Sequence, residues 1–216
     1  EQWSVFESIV DQTPDIDPWC SGPDWVLPVH RGFGAGSEPL ILASTDPGRP
    51  GLVLLARYPL DGGGWFVAGL EPLWGFAAPL LGPRIEWLAG QAAQALAPLA
   101  WDRLVIPGLP DLTGPEGYVA QAARGLSSLG PVGLAPGIVR QVADLGPGYE
   151  AWLERRPARF RRNLRQAERR ARDAGLRIVD ASDESDVFER LLAIEAGSWK
   201  GQEETGITSP DMAVTY

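Results

Sequence analysis

Ten arginines fall between Arg155 and Arg177, with Glu168 and Asp173 as the only acids among them. A guanidinium is permanently charged and planar, and its fork of N–H donors pairs bidentately with phosphate oxygens. Arg161, Arg162, Arg165, Arg169 and Arg172 can form a cationic strip for a pyrophosphate, a nucleotide or a length of tRNA backbone. The plainer alternative is a solvated amphipathic helix whose arginines pair with acidic flanks. The flanks suit that role: residues 1–154 hold seven Arg against 17 acids, and residues 178–216 hold two basic residues against nine. The net charge of −9 therefore conceals one window of strong positive charge. Such a distribution argues against a general nucleic-acid binder and for, at most, one local anion site.

A second group stands at Glu195-Ala196-Gly197-Ser198-Trp199-Lys200-Gly201. Glu195 can serve as a carboxylate base, and Lys200, the chain's one lysine, can pair with an anionic substrate group. A core Trp199 with Lys200 and Gly201 capping a helix end explains the same residues without chemistry. Arg31-Gly32-Phe33-Gly34-Ala35-Gly36 fits R-x-x-G-x-G, which in GNAT acyltransferases is a strand-to-helix loop whose N–H groups cradle the coenzyme A pyrophosphate. Here a helix precedes the motif and a strand follows it, so a glycine helix cap is the better reading. Cys20 and His30 could be drawn as nucleophile and base, but no third group orients them. They read better as a small buried Cys and a surface His. The nine Trp do not interleave with the arginines, which argues against a stacking platform for single strands and for core anchors.

The elements that must position these residues follow from periodicity and punctuation. A loop at 18–23 leads to a helix over about 23–33 stopped by Gly34 and Gly36. Pro39–Thr45 and Leu52–Tyr58 read as a hairpin about the turn 46–51, and Trp65-Phe66-Val67 as a further strand. Leu70–Pro83 is apolar and rich in Pro and Gly, hence a buried loop or irregular strand. Ile85–Leu96 is a helix, Asp102–Pro107 a strand, Gly117–Leu126 a helix introduced by Pro115 and Glu116, and Gly137–Leu145 a strand. This order predicts an α/β layer around a central sheet. Gly146-Pro147-Gly148 is the expected joint between a domain over 1–145 and a second over 146–216. In the second, Tyr149–Arg156 and Arg159–Ala174 are helices, the latter with a narrow apolar stripe from Phe160 to Ala174 and a Gly175 stop. Leu176–Asp180 reads as a strand and Asp186–Ser198 as a helix, with Ser182 and Ser185 as candidate caps. Thr208–Asp211 reads as the start of another helix, so the second domain is expected to continue past Tyr216. Likewise, a chain that begins at Glu1 rather than Met is expected to have been trimmed at that end.

One Cys and one His exclude an internal disulfide, a zinc finger and a Cys-rich metal cage, so no metal is expected. No apolar run is long enough to span a bilayer, and the first residues do not read as a signal peptide, so a cytoplasmic setting is expected.

Arg161-Arg162-Asn163-Leu164-Arg165-Gln166-Ala167-Glu168-Arg169-Arg170, a glycine, a strand and then Glu195 to Gly201 resemble the CelD/BioF-like acyltransferases of the GNAT superfamily. Pro18 to Trp25 and Leu73-Trp74-Gly75-Phe76-Ala77-Ala78-Pro79-Leu80-Leu81-Gly82 are similar to that family's first domain, and the basic helix to one in Fem-type aminoacyl-tRNA-dependent transferases. The resemblance implies a GNAT-like mixed sheet flanked by helices in tandem, with the second domain incomplete. It also implies N-acyl transfer from acyl-CoA to a small molecule or a cell-envelope precursor, with tRNA as the alternative donor. Glu195 and Lys200 are then the catalytic candidates, and Arg161, Arg162, Arg165 and Trp199 the anion- and substrate-binding ones. The family's acyl-CoA strand and pyrophosphate loop would lie after Tyr216, so the chain as given is expected to be inactive by itself. A non-catalytic GNAT-like domain serving as an interaction or homodimer surface is the alternative outside enzymology.

Overall fold

The computed structural model describes residues 2–44, 46, 48–109, 114, 116–135, 146–181, 184–203 and 206–207. The chain divides into two compact units, Glu1–Gly133 with Leu192–Tyr216, and Leu134–Leu191. The architecture is mixed α/β, with a five-stranded mixed sheet flanked by helices.

In the first unit, helices α1 (Gln2–Asp11) and α2 (Pro23–Phe33) precede strands β1 (Glu38–Ala43), β2 (Leu52–Pro59) and β3 (Trp65–Gly69). β1 and β2 form the expected hairpin, in register Glu38↔Arg57 to Ala43↔Leu52, and β2 pairs antiparallel with β3 from Leu55↔Gly69 to Pro59↔Trp65. Pro39 lies in the edge strand, where its missing N–H leaves no central ladder bond unmade. The short β4 (Leu80–Leu81) returns to the other end of β2, at Leu52 and Val53. Helix α3 (Ile85–Leu96) then crosses over to β5 (Arg103–Leu104), parallel to β3, as a parallel pairing requires. Leu54 sits at a fork: its N–H donates to the Pro79 carbonyl at 2.8 Å, while its carbonyl accepts from Leu70 N–H at 3.1 Å.

The segment between that fork's arms is irregular, so its buried amides cannot be satisfied by a ladder and need acceptors elsewhere. Side chains supply them. The Glu71 carboxylate, 1% exposed, accepts from the N–H groups of Trp74 (2.6 Å) and Gly75 (3.2 Å) on Oε1. Its Oε2 accepts from those of Phe76 (2.7 Å) and Ala77 (3.2 Å). Ser21 Oγ takes Ala78 N–H at 3.0 Å, and Thr13 Oγ1 takes Gly82 N–H at 2.6 Å. The Tyr118 hydroxyl both accepts from Leu80 N–H and donates to Leu80 O, at 3.2 and 2.6 Å. Thr13, Ser21 and Glu71 are the buried polar residues among those described, and all three accept from amides between Trp74 and Gly82.

Helix α4 (Tyr118–Leu126) packs closely on α3. Gly125 permits this, because a Cβ there would run into the Glu86 carbonyl and the Ala89 methyl of α3. Ile85, Leu88, Ala89, Ala92 and Leu96 of α3 join β2, β3 and α4 residues in one core. A 3₁₀ turn (Ser127–Leu129) follows α4. The remaining helices are α5 (Tyr149–Glu154), α6 (Ala158–Asp173), α7 (Val187–Ala196) and α8 (Trp199–Gln202).

Several expectations need correction. Leu176–Asp180 joins no ladder among the described residues: Leu176 and Val179 are largely exposed and Ile178 fully so, and alternation without a partner strand makes no sheet. Lys200 and Gly201, expected to cap a helix end, instead lie inside the short helix α8, and α1 was not foreseen. The strand expected over Gly137–Leu145, the cap at Ser182 and the helix start at Thr208–Asp211 lie outside the described residues, as does Pro115.

Candidate anion-binding site

The arginine-rich segment is a helix because strong formers (Arg, Ala, Leu, Gln, Glu) fill it between two breakers. Pro157, extended at φ −54° and ψ 145°, precedes it. At the other end Gly175 adopts φ 72°, donating its N–H to Arg172 O while Leu176 N–H reaches Ala171 O, both at 2.9 Å. That crossed pair is a Schellman stop.

At about 100° per residue, Arg161, Arg162, Arg165, Arg169 and Arg172 share an arc of about 100° and run about 16 Å along the axis. With Ala158 and Glu168 they line an open groove of about 580 Å³. No residue of α6 is buried. Within their own unit, among the described residues, Arg161, Arg162, Arg165, Arg169 and Arg172 make no ion pair. Like charges four apart, such as Arg161–Arg165 and Arg165–Arg169, each cost the helix a few tenths of a kcal/mol, roughly. An anion on the stripe removes that cost.

The opposite face supplies the anchor. Phe160 meets the Trp152 ring edge-on at 6.0 Å, Tyr149 stacks on Trp152 at 6.1 Å, and the Arg156 guanidinium lies over the same indole at 4.8 Å. Arg161 Nη1 donates to the Glu154 carbonyl at 3.1 Å, tying the start of the stripe to α5. The Tyr149 hydroxyl donates to Glu168 Oε1 at 3.0 Å, which raises the Tyr149 pKa and orients the acid at the rim of the arginine stripe.

Glu195, Trp199 and Lys200 come together at the α7–α8 turn. Lys200 Nζ lies 3.9 Å from Glu195 Oε1 and 6.0 Å from the Trp199 ring centre. Ser198 caps α8, accepting from Lys200 N–H at 3.2 Å and donating to the Glu195 carbonyl at 2.7 Å. Trp199 is 63% exposed, so it is not the core anchor of the plainer reading. The Glu195 side chain is 18% exposed. This turn belongs to the first unit and α6 to the second, so the structure assembles two groups of candidates.

The Arg31–Gly36 motif closes α2, with Gly34 N–H donating to His30 O at 2.7 Å and β1 following, which is a cap and not a phosphate loop. Cys20 is half-buried, its N–H on Asp17 Oδ1 at 2.9 Å. His30 is not the surface residue expected. It is half-buried, faces the Tyr58 ring edge at 6.4 Å, and its Nδ1 is buried without a partner among the described residues.

Burial lowers the His30 pKa below its ordinary 6.5, with the Leu70 backbone opposing. The fold therefore binds this proton less readily than the unfolded chain does. Stability is complete above the unfolded value and falls as pH drops through and below it. We expect the melting temperature to decline from about pH 7 to about pH 5.5, and His30→Gln to flatten that decline. Equal slopes in the two proteins would assign the decline to other groups.

Among the described residues, no cluster of three His, Cys, Asp or Glu side chains is placed to hold a metal ion, and no helix is long and apolar enough to cross a membrane. No family model, no curated protein and no solved structure matches this chain.

Proposed function

We propose that this chain is part of an N-acyltransferase of GNAT-like tandem organisation that moves an acyl group from acyl-CoA to an amine. The observation that carries the reading is the stripe of five α6 arginines, none with a carboxylate partner among the described residues of their unit, which offers bidentate donors to the donor's phosphates. The resemblance of Arg161–Arg170 and Glu195–Gly201 supports it. In the reaction the amine nitrogen attacks the thioester carbonyl, the C–N bond forms, the C–S bond breaks, and the coenzyme A thiolate leaves and is protonated. Within the first unit, Glu195 is a carboxylate suited to take an amine's proton, Lys200 a cation suited to an anionic group, and Trp199 an exposed aromatic face. The acceptor is a small molecule or a cell-envelope precursor, and the setting is cytoplasmic.

Calorimetric titration of the full-length protein with acetyl-CoA and with free coenzyme A tests the reading. Saturable binding of either is expected; the absence of heat from both would sink it. One observation favours aminoacyl-tRNA as an alternative donor: a stripe of about 16 Å is longer than one pyrophosphate occupies. That version predicts tRNA binding with a steep dependence on salt.

A further inference from the structure

A groove of about 530 Å³ lies along α3 and α4, within the range of about 300–1,000 Å³ usual for small-molecule sites. Two glycines line it, for different reasons. Gly125 is required by helix packing, as shown above. Gly90 is not: a Cβ there would meet nothing within 4 Å, and its backbone needs no left-handed φ. A glycine inside a helix costs about 1 kcal/mol relative to alanine. At Gly90 that cost is met by no packing gain among the described residues, and what the missing side chain provides is open space in the groove.

The side chains around that space include an indole, three carboxamides, an acid and the guanidinium of Arg84. Trp87, half-buried and with the Arg49 guanidinium 6.0 Å from its ring centre on one side, contributes an aromatic surface one turn before Gly90. Gln91 and Gln94 follow on the same helix, and Gln121 faces in from α4. The Gln121 amide donates to the Glu116 carbonyl at 2.7 Å, whereas Gln91 and Gln94 have no partner among the described residues. Carboxamides both donate and accept, as hydroxyl groups do. The acid in the groove, Glu86, is already paired with Arg124 at 2.6 Å, so the lining presents no unpaired carboxylate to attract a cation, and the Arg84 guanidinium adds N–H donors that hydroxyl oxygens can accept from.

We propose that this groove binds a neutral saccharide, with the apolar face of a sugar ring on Trp87 and its hydroxyls on Gln91, Gln94 and Gln121. The site is independent of the acyl-transfer reading and lies in the first unit. Isothermal titration of the whole chain with maltose, cellobiose and N,N′-diacetylchitobiose tests it. At least one is expected to bind saturably. Gly90→Leu, which fills the groove with a better helix former, is expected to weaken that binding at least tenfold with the melting temperature held or raised. Gln91→Ala, a change at a half-exposed residue, is expected to weaken it several-fold. Failure of all three sugars to bind, or binding unchanged by Gly90→Leu in a folded protein, would overturn the proposal.

Discussion

Glu71→Ala is expected to lower the stability of the first unit by roughly 3–5 kcal/mol, since it removes a buried charged acceptor and leaves its partners behind. Four consecutive amides, Trp74 to Ala77, would keep their positions in an irregular segment with no acceptor in reach. Glu71→Gln keeps the shape but turns one oxygen into a donor that faces two N–H groups. It should therefore also destabilise, by less than Glu71→Ala. Urea unfolding followed by circular dichroism measures both, and a Glu71→Ala value within about 1 kcal/mol of wild type would show that the segment finds other acceptors.

The second large effect is on binding. Arg161→Ala, Arg162→Ala and Arg165→Ala in combination should abolish the anion site without unfolding α6, because alanine is the best helix former and no residue of α6 is buried. Each charge-assisted contact is worth about 1.5 kcal/mol or more, so three lost contacts weaken coenzyme A or tRNA binding about 10³-fold. For a nucleic acid, the logarithmic salt slope should flatten by about 0.9 for each phosphate contact removed. Arg159→Ala with Arg170→Ala, off the stripe, takes away nearly as much charge and should matter far less. Equal losses in the two variants would mean that net charge, not the stripe, does the binding.

Much of the fold was legible because punctuation and periodicity agreed. The α3 boundaries, Ile85–Leu96, emerge unchanged, since an apolar face at helical spacing lies between breakers. The hairpin about residues 46–51 and the Gly175 stop were equally plain. Helix α1 was missed although Phe6, Ile9 and Val10 pack on the core at helical spacing, because so short an apolar run covers little more than one turn. Leu176–Val179 misled in the opposite direction, by having a strand's composition without a ladder partner. At the candidate site the five-arginine strip was legible in advance from helical spacing, whereas the Glu195–Lys200 pair needed the turn around Ser198. Glu71 gave no signal at all. Its partners are backbone amides, which no side-chain pattern announces.

The fork at Leu54 has a kinetic consequence. Strands β1, β2 and β3 follow one another through short turns, so their pairings close small loops at low entropic cost. Strand β4 returns only after the irregular segment, and β5 only after α3, so these closures span more chain and come later. The carbonyl of Leu54 finds Leu70 at the edge of the early meander, while its N–H waits for Pro79. In a pulse-labelling refolding experiment, the Leu54 amide would thus gain protection from hydrogen exchange with the second wave, although it lies in a strand built in the first.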